Sequence, residues 1–223
     1  MLLTGNDVPD SLSSYSLIIL NQLPSVKNVA SKLLTTIKDS RIPVLFLVGP
    51  NSMLAQLNSL DMGLKISASK NTEEVQSAFD SNFSLFVLSD ATKEIIESAP
   101  PLLSPFGNTE LTPTLQNLSL QNIRNIKTNK TMMAFGADKG RKVGFIVGEG
   151  LWRWRLYDYQ LNGNHEAFDE FIQKTIQYLA LKQNEDNFNV YYPALFQETD
   201  QIELTAELYN DSYELINEPD VTI

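Results

Sequence analysis

Short apolar runs and amphipathic stretches alternate along the first half of the chain. Residues 16–20 and 43–48 are apolar runs of strand length bounded by polar residues, the pattern of strands buried on both faces. Between them Val26, Val29, Ala30, Leu33, Leu34 and Ile37 recur at helical spacing, and Pro24-Ser25 suits a helix start. Strand, amphipathic helix and strand joined by short loops predict a right-handed βαβ unit. The turn Gly49-Pro50-Asn51-Ser52 then leads into a helix ending near Leu60.

The middle of the chain is less periodic. Residues 64–67 alternate as a short strand, and Asn71-Thr72-Glu73-Glu74 has the composition of a helix N-terminus leading to Val75, Ala78 and Phe79. Residues 83–88 read as a strand or a buried loop, 91–98 as a helix stopped by Pro100-Pro101, and 104–114 as a Pro/Gly/Ser/Thr-rich connection. Strands are predicted at 121–126, 131–136 and 141–147, the last two joined by an Asp138-Lys139-Gly140 turn. Residues 151–160 predict a short helix or ordered turn. Asn164 caps the most regular helical pattern, Phe168, Phe171, Ile172, Thr175, Ile176 and Leu179, with Glu166, Asp169 and Glu170 near its positive end. After Lys182, residues 188–192 and 201–209 alternate like strands. Asn210-Asp211-Ser212 is a turn, residues 213–216 start again, and 221–223 would open a further strand.

This pattern predicts a three-layer α/β domain with a mixed, mainly parallel sheet over 1–183. A β-rich extension over 184–223 follows, the expected start of a β-domain in a longer protein. Charge sharpens that division. The chain has 223 residues, 17 Lys/Arg and 27 Asp/Glu, for a net charge of −10. Ten of the acids and no Lys or Arg fall in the last 40 residues, so residues 1–183 are formally neutral. Without a basic face the chain is not expected to bind nucleic acid. The absence of cysteine removes disulfides, thiolate metal sites and thiol nucleophiles, and a single histidine removes a multi-His metal site within one chain. No apolar run is long enough to span a membrane, and the N-terminus lacks the pattern of a signal peptide.

Three places carry candidate chemistry. The turn with Gly49, Asn51 and Ser52 follows a strand and precedes a helix, a junction that presents a nucleophile or free backbone N–H groups. It matches neither the G-x-S-x-G nor the P-loop pattern. His165 lies beside a helix cap and is the chain's one imidazole; a Ser52–His165 pair would be the hydrolase reading. In Gly148-Glu149-Gly150-Leu151-Trp152-Arg153-Trp154-Arg155-Leu156 two Trp alternate with two Arg. One reading makes it a recognition patch, in which Arg153 and Arg155 grip an anion and Trp152 stacks on a ligand. The other makes the Trp side chains wedges against the 164–183 helix, with the Arg residues paired to Glu149 or Asp158. The adjacent acids Glu73-Glu74, Asp169-Glu170 and Glu185-Asp186 read as solvated surface.

That string, the following Asn164-His165-Glu166-x-Phe168, the helix end Tyr178-Leu179-Ala180 and the stretch 206–214 resemble a known family. It is the class I glutamine amidotransferase-like domain of large membrane-anchored bacterial proteins of the von Willebrand-A type, and the resemblance covers about residues 12–216. It implies a flavodoxin-like α/β fold on the periplasmic side of the inner membrane, followed by a β-rich segment and anchored through segments outside this chain. It also implies a lost reaction. True members use a Cys on the turn after a strand and an H-x-E pair late in the domain, whereas the matching turn here is Gly49-Pro50-Asn51-Ser52 and His165-Glu166-Ala167 is not H-x-E. The expectation is a non-catalytic binding or scaffold module of an envelope protein, needing no cofactor or metal. Its partner would be another protein or another domain of the same full-length chain, met at the carboxyl edge of the sheet.

Overall fold

The computed structural model describes residue 12 and residues 14–181, 188–191, 205–208 and 216. Along the chain run β1 (Ile18–Asn21), α1 (Ser31–Asp39), β2 (Val44–Val48), α2 (Leu54–Ser59), β3 (Leu64–Phe79), α3 (Asp90–Ser98) and β4 (Leu102–Leu111). There follow β5 (Leu115–Ile123), β6 (Ile126–Asp138), β7 (Arg141–Val147), α4 (Leu151–Asn162) and α5 (Glu166–Ala180). β8 (Phe188–Tyr191) and β9 (Thr205–Leu208) pair antiparallel in a sheet of their own. The turn expected at 210–212 and the strands expected at 213–216 and 221–223 lie outside the described residues, Ile216 apart.

The seven-stranded sheet has the order β1-β2-β7-β6-β5-β3-β4. The βαβ unit read from the sequence is present, with β1 parallel to β2 and β2 parallel to β7. The expectation of a mainly parallel, flavodoxin-like or class I glutamine amidotransferase-like sheet is overturned. The other four pairings, β7–β6, β6–β5, β5–β3 and β3–β4, are antiparallel. Half of the sheet is therefore a βαβ unit extended by β7, and the other half is built from long antiparallel strands.

Two of those strands were hidden by their composition. β4 occupies the segment that reads as a connection, because its Pro105 stands on a sheet edge, where a missing N–H breaks no ladder. Gly107 opposes Ala68, and a Cβ there would lie 2.1 Å from the Ser67 carbonyl oxygen. Only glycine allows the two backbones to approach so closely. The Thr72-Glu73-Glu74 stretch is not a helix start but the middle of β3, resuming register after an irregularity between Ala68 and Thr72. Residues 83–88 form a loop that buries Leu85, Phe86 and Leu88 and leaves Ser84 and Val87 exposed. The helix expected from Pro24 begins only at Ser31. Ser25 and Asn28 exchange backbone hydrogen bonds of 2.8 and 3.1 Å, and the Asn28 side chain accepts from the Ala30 N–H. Such local side-chain bonds offer the backbone an alternative to helix.

Strand alternation sorts the core into two layers. Val44, Phe46 and Val48 of β2 and Val143, Phe145 and Val147 of β7 face α1 and α2, where Phe46 and Phe145 stack at 5.1 Å. Leu45 and Ile146 face the opposite way, into a cluster with Ile96 of α3, Trp154 of α4 and Phe171 and Tyr178 of α5. Helices thus cover both faces of the sheet.

Candidate functional site

The carboxyl ends of β2 and β7 form a topological switch point. β2 feeds α2 on one face and its parallel neighbour β7 feeds α4 on the other, the geometry that opens a ligand crevice in α/β sheets. Gly49, Asn51 and Ser52 line the first exit, and Glu149, Trp152 and Arg153 follow the second. In this chain the crevice is filled by the protein itself. The Gln22 side chain accepts from the Asn51 N–H at 3.0 Å and lies over Gly49. Ser25 bridges to Ser52, and the Met53 N–H donates to the Pro24 carbonyl at 2.7 Å. On the other side Leu103 and Glu149 exchange two backbone hydrogen bonds of 2.9 Å, bringing the start of β4 over the end of β7.

Ser52 and His165 are not joined. The Ser52 hydroxyl accepts from the Gly49 N–H at 3.1 Å. His165 Nδ1 is 2.9 Å from the Arg155 carbonyl, and its ring is 5.1 Å from that of Tyr159. Each side chain thus serves its own turn rather than a shared site. Among the described residues no group of three His, Asp or Glu side chains converges as a metal requires, and no helix is long and apolar enough to cross a membrane.

The Trp/Arg string forms α4, and helical geometry sends its alternate residues to different faces. Gly150 starts the helix at φ 115°, a left-handed value that favours glycine. A Cβ there would also meet the Arg153 guanidinium, which folds back toward the Glu149 carbonyl at 3.5 Å. Arg155 reaches instead to Asp169 of α5 at 3.4 Å, not to Glu149 or Asp158. The two guanidiniums therefore do not converge on one anion. Trp154 is 1% exposed, packs on Phe171 and donates its indole N–H to the Pro100 carbonyl at 2.8 Å. Trp152 points the other way and is 62% exposed. With Leu156 at 58% and Tyr159 at 57% it forms a stripe at positions i, i+4 and i+7, an apolar face turned to solvent.

The buried face of α4 holds a residue that the sequence reading assigned only as a possible Arg partner. Asp158 is fully buried; its carboxylate accepts from the Phe168 N–H at 2.9 Å and from the Asn162 amide at 2.7 Å. It therefore caps α5 from the neighbouring helix, alongside Asn164, which accepts from the Glu166 N–H at 3.0 Å. The available signal was spacing, because Asp158 lies one helical turn after Trp154 and shares its face.

A second carboxylate bridges helices. Glu170 of α5 accepts from the Ser89 N–H at 3.0 Å and from the hydroxyls of Ser89 and Thr92, at the N-terminus of α3. Partial burial works against its ionised form. The Ser89 and Thr92 hydrogen bonds, helped by Lys174, outweigh that and hold its carboxyl below the usual glutamate range. With the folded-state value below the unfolded one, its contribution is complete above the ordinary glutamate range and is lost as pH falls through the folded value. Glu170→Gln is expected to flatten this part of the acid limb when stability is measured by denaturant titration between neutral pH and pH ~3. An unchanged acid limb would show that other carboxylates set it.

Two open surface clefts are lined by none of the eight predicted site residues, although Asp169, the ion-pair partner of Arg155, borders the first. One, of about 710 Å³, runs along α5 past Phe168, Asp169, Ile172 and Ile176. The other, of about 510 Å³, lies by the β3–β4 irregularity at Thr72, Glu73, Phe106 and Arg124.

No family model and no curated protein matches this chain. Among solved structures it is similar to a cytoplasmic protein from Salmonella typhimurium LT2, with 13% identity and a TM-score of 0.48 over 75% of this chain and 76% of that one. It is also similar to alpha-L-fucosidase isoenzyme 2 from Paenibacillus thiaminolyticus, with 14% identity and a TM-score of 0.47 over 82% of this chain and 27% of that one. For a beta-galactosidase from Bacillus circulans sp. alkalophilus the values are 11%, 0.42, 81% and 26%. The chain spans about a quarter of the length of either glycosidase. All three scores fall below 0.5, so these likenesses assign neither family nor activity.

Proposed function

We propose that this domain is a non-catalytic protein-binding module whose contact surface is the outer face of α4. One observation carries the reading: Trp152, Leu156 and Tyr159 stand more than half exposed in a single stripe on a helix whose opposite face is already packed. Scattered surface hydrophobes need no explanation, but an aligned set with two large aromatics has the composition of an interface core. Trp, Tyr and Arg also dominate binding hot spots, and Arg155 flanks the stripe. The envelope setting belongs to the same proposal and rests on the motif resemblance alone.

A photo-crosslinking residue in place of Leu156, in the full-length protein in its own cell, should yield a discrete adduct. The same residue at exposed Lys27 should not. No adduct from position 156 above the Lys27 background would overturn the reading.

A further inference from the structure

Resting on that reading, we infer that the occupant of the α4 face is a second copy of this chain, joined across a twofold axis at Leu156. The stripe is self-complementary in spacing. Trp152 precedes Leu156 by four residues and Tyr159 follows it by three. Two antiparallel α4 helices with the axis at Leu156 would set Trp152 of each copy against Tyr159 of the other. A twofold interface demands this matching, with one patch meeting itself.

The available area agrees with a dimer. The face continues onto α5, where Asp169, the partner of Arg155, borders the open groove with Ile172 and Ile176. From their exposures, Trp152, Leu156 and Tyr159 leave roughly 380 Å² of side chain in water per copy. Pairing two copies would bury at most roughly 770 Å² of such surface. At the roughly 65% apolar content of homodimer interfaces this corresponds to a total of about 1,200 Å², the lower end of the standard range for stable complexes.

The rim does not oppose pairing. Arg155 is neutralised by Asp169, and residues 1–183 carry no net charge. Tyr159 is already held against the His165 ring, so less side-chain freedom is lost when the interface forms. The repulsion that remains comes from the −10 of each copy, which salt screens. Added salt should therefore tighten this dimer, the reverse of an interface held by ion pairs.

The test uses the purified 223-residue chain, which has no cysteine of its own. Sedimentation equilibrium should show a dimer at about 100 μM, where a micromolar complex is nearly saturated. Leu156→Glu should raise the dimer dissociation constant at least about 100-fold, by placing two like charges on the axis, with the melting temperature unchanged at a dilution where the wild type is monomeric. Leu156→Cys should form a disulfide-linked dimer under mild oxidation, since a residue on the axis meets its own copy. Trp152→Cys mixed with Tyr159→Cys should give the mixed dimer in preference to either self-linked one, and Lys27→Cys should stay monomeric. A wild-type monomer at about 100 μM, or Leu156→Cys linking no faster than Lys27→Cys, overturns the second-copy inference. If the in-cell crosslink at 156 then reaches a different protein, the binding-surface reading stands and only the choice of partner falls. If it captures nothing, both fall.

Discussion

Replacing Trp154 by alanine is expected to cost the domain about 3–5 kcal/mol of unfolding free energy, whereas the same change at Trp152 should cost no more than about 0.5 kcal/mol. The two residues are two positions apart in one string and equal in chemistry. They differ in what surrounds them. Trp154 fills the space between the sheet, Phe171 of α5 and the Pro100 carbonyl, which its indole N–H satisfies. Alanine would leave a cavity the size of an indole ring and remove that carbonyl's donor. Trp152 stands in solvent, so its loss changes binding rather than folding. Paired urea titrations of the two variants decide the matter. Equal costs would mean that the outer face of α4 is part of the fold, and the proposed function would fail with it.

Asp158→Ala is expected to destabilise the domain by about 2–3 kcal/mol, a large value for one polar group. The loss has two parts. The N-terminus of α5 loses a cap, and the buried Phe168 N–H loses its acceptor. Asp158→Asn keeps one carbonyl acceptor and should recover part of the stability. The measurement is the denaturation midpoint at constant m-value, with hydrogen exchange of the Phe168 amide as the local readout. If that amide stays protected in Asp158→Ala, the cap is supplied elsewhere.

The fold was legible in the sequence where local pattern and environment agree. β2, α3, the β6–β7 hairpin and α5 declare themselves through apolar runs, a Pro stop, an Asp-Lys-Gly turn and helical spacing. β4 did not, because Pro105 and Gly107 are poor strand residues anywhere but at an edge and a point of close approach. The direction of pairing was also hidden. A βαβ unit at the start of a chain does not determine how the later strands join, and the antiparallel half arises from contacts that no short window contains.

The candidate site shows the same limit at the level of single residues. The Trp/Arg string stood out by composition, but the helical phase decides which Trp is core and which is surface. Asp169 is the solvated surface acid it was read to be and pairs there with the exposed Arg155. Glu170, read the same way, instead bridges α5 to the N-terminus of α3. Gln22 and Leu103, which close the carboxyl edge of the sheet, gave no signal at all, because each acts on residues distant in sequence.

The position of β7 beside β2 has a consequence for how the protein is made. Val44 pairs with Val143, so a central parallel pairing joins segments separated by about a hundred residues. On a growing chain, β1 and β2 must wait for β7 with an apolar strand edge unpaired. Parallel pairing over such separation is slow, and the waiting state is open to association with other chains. Constraint on the residues of β2 therefore comes from the period of synthesis as well as from the finished core.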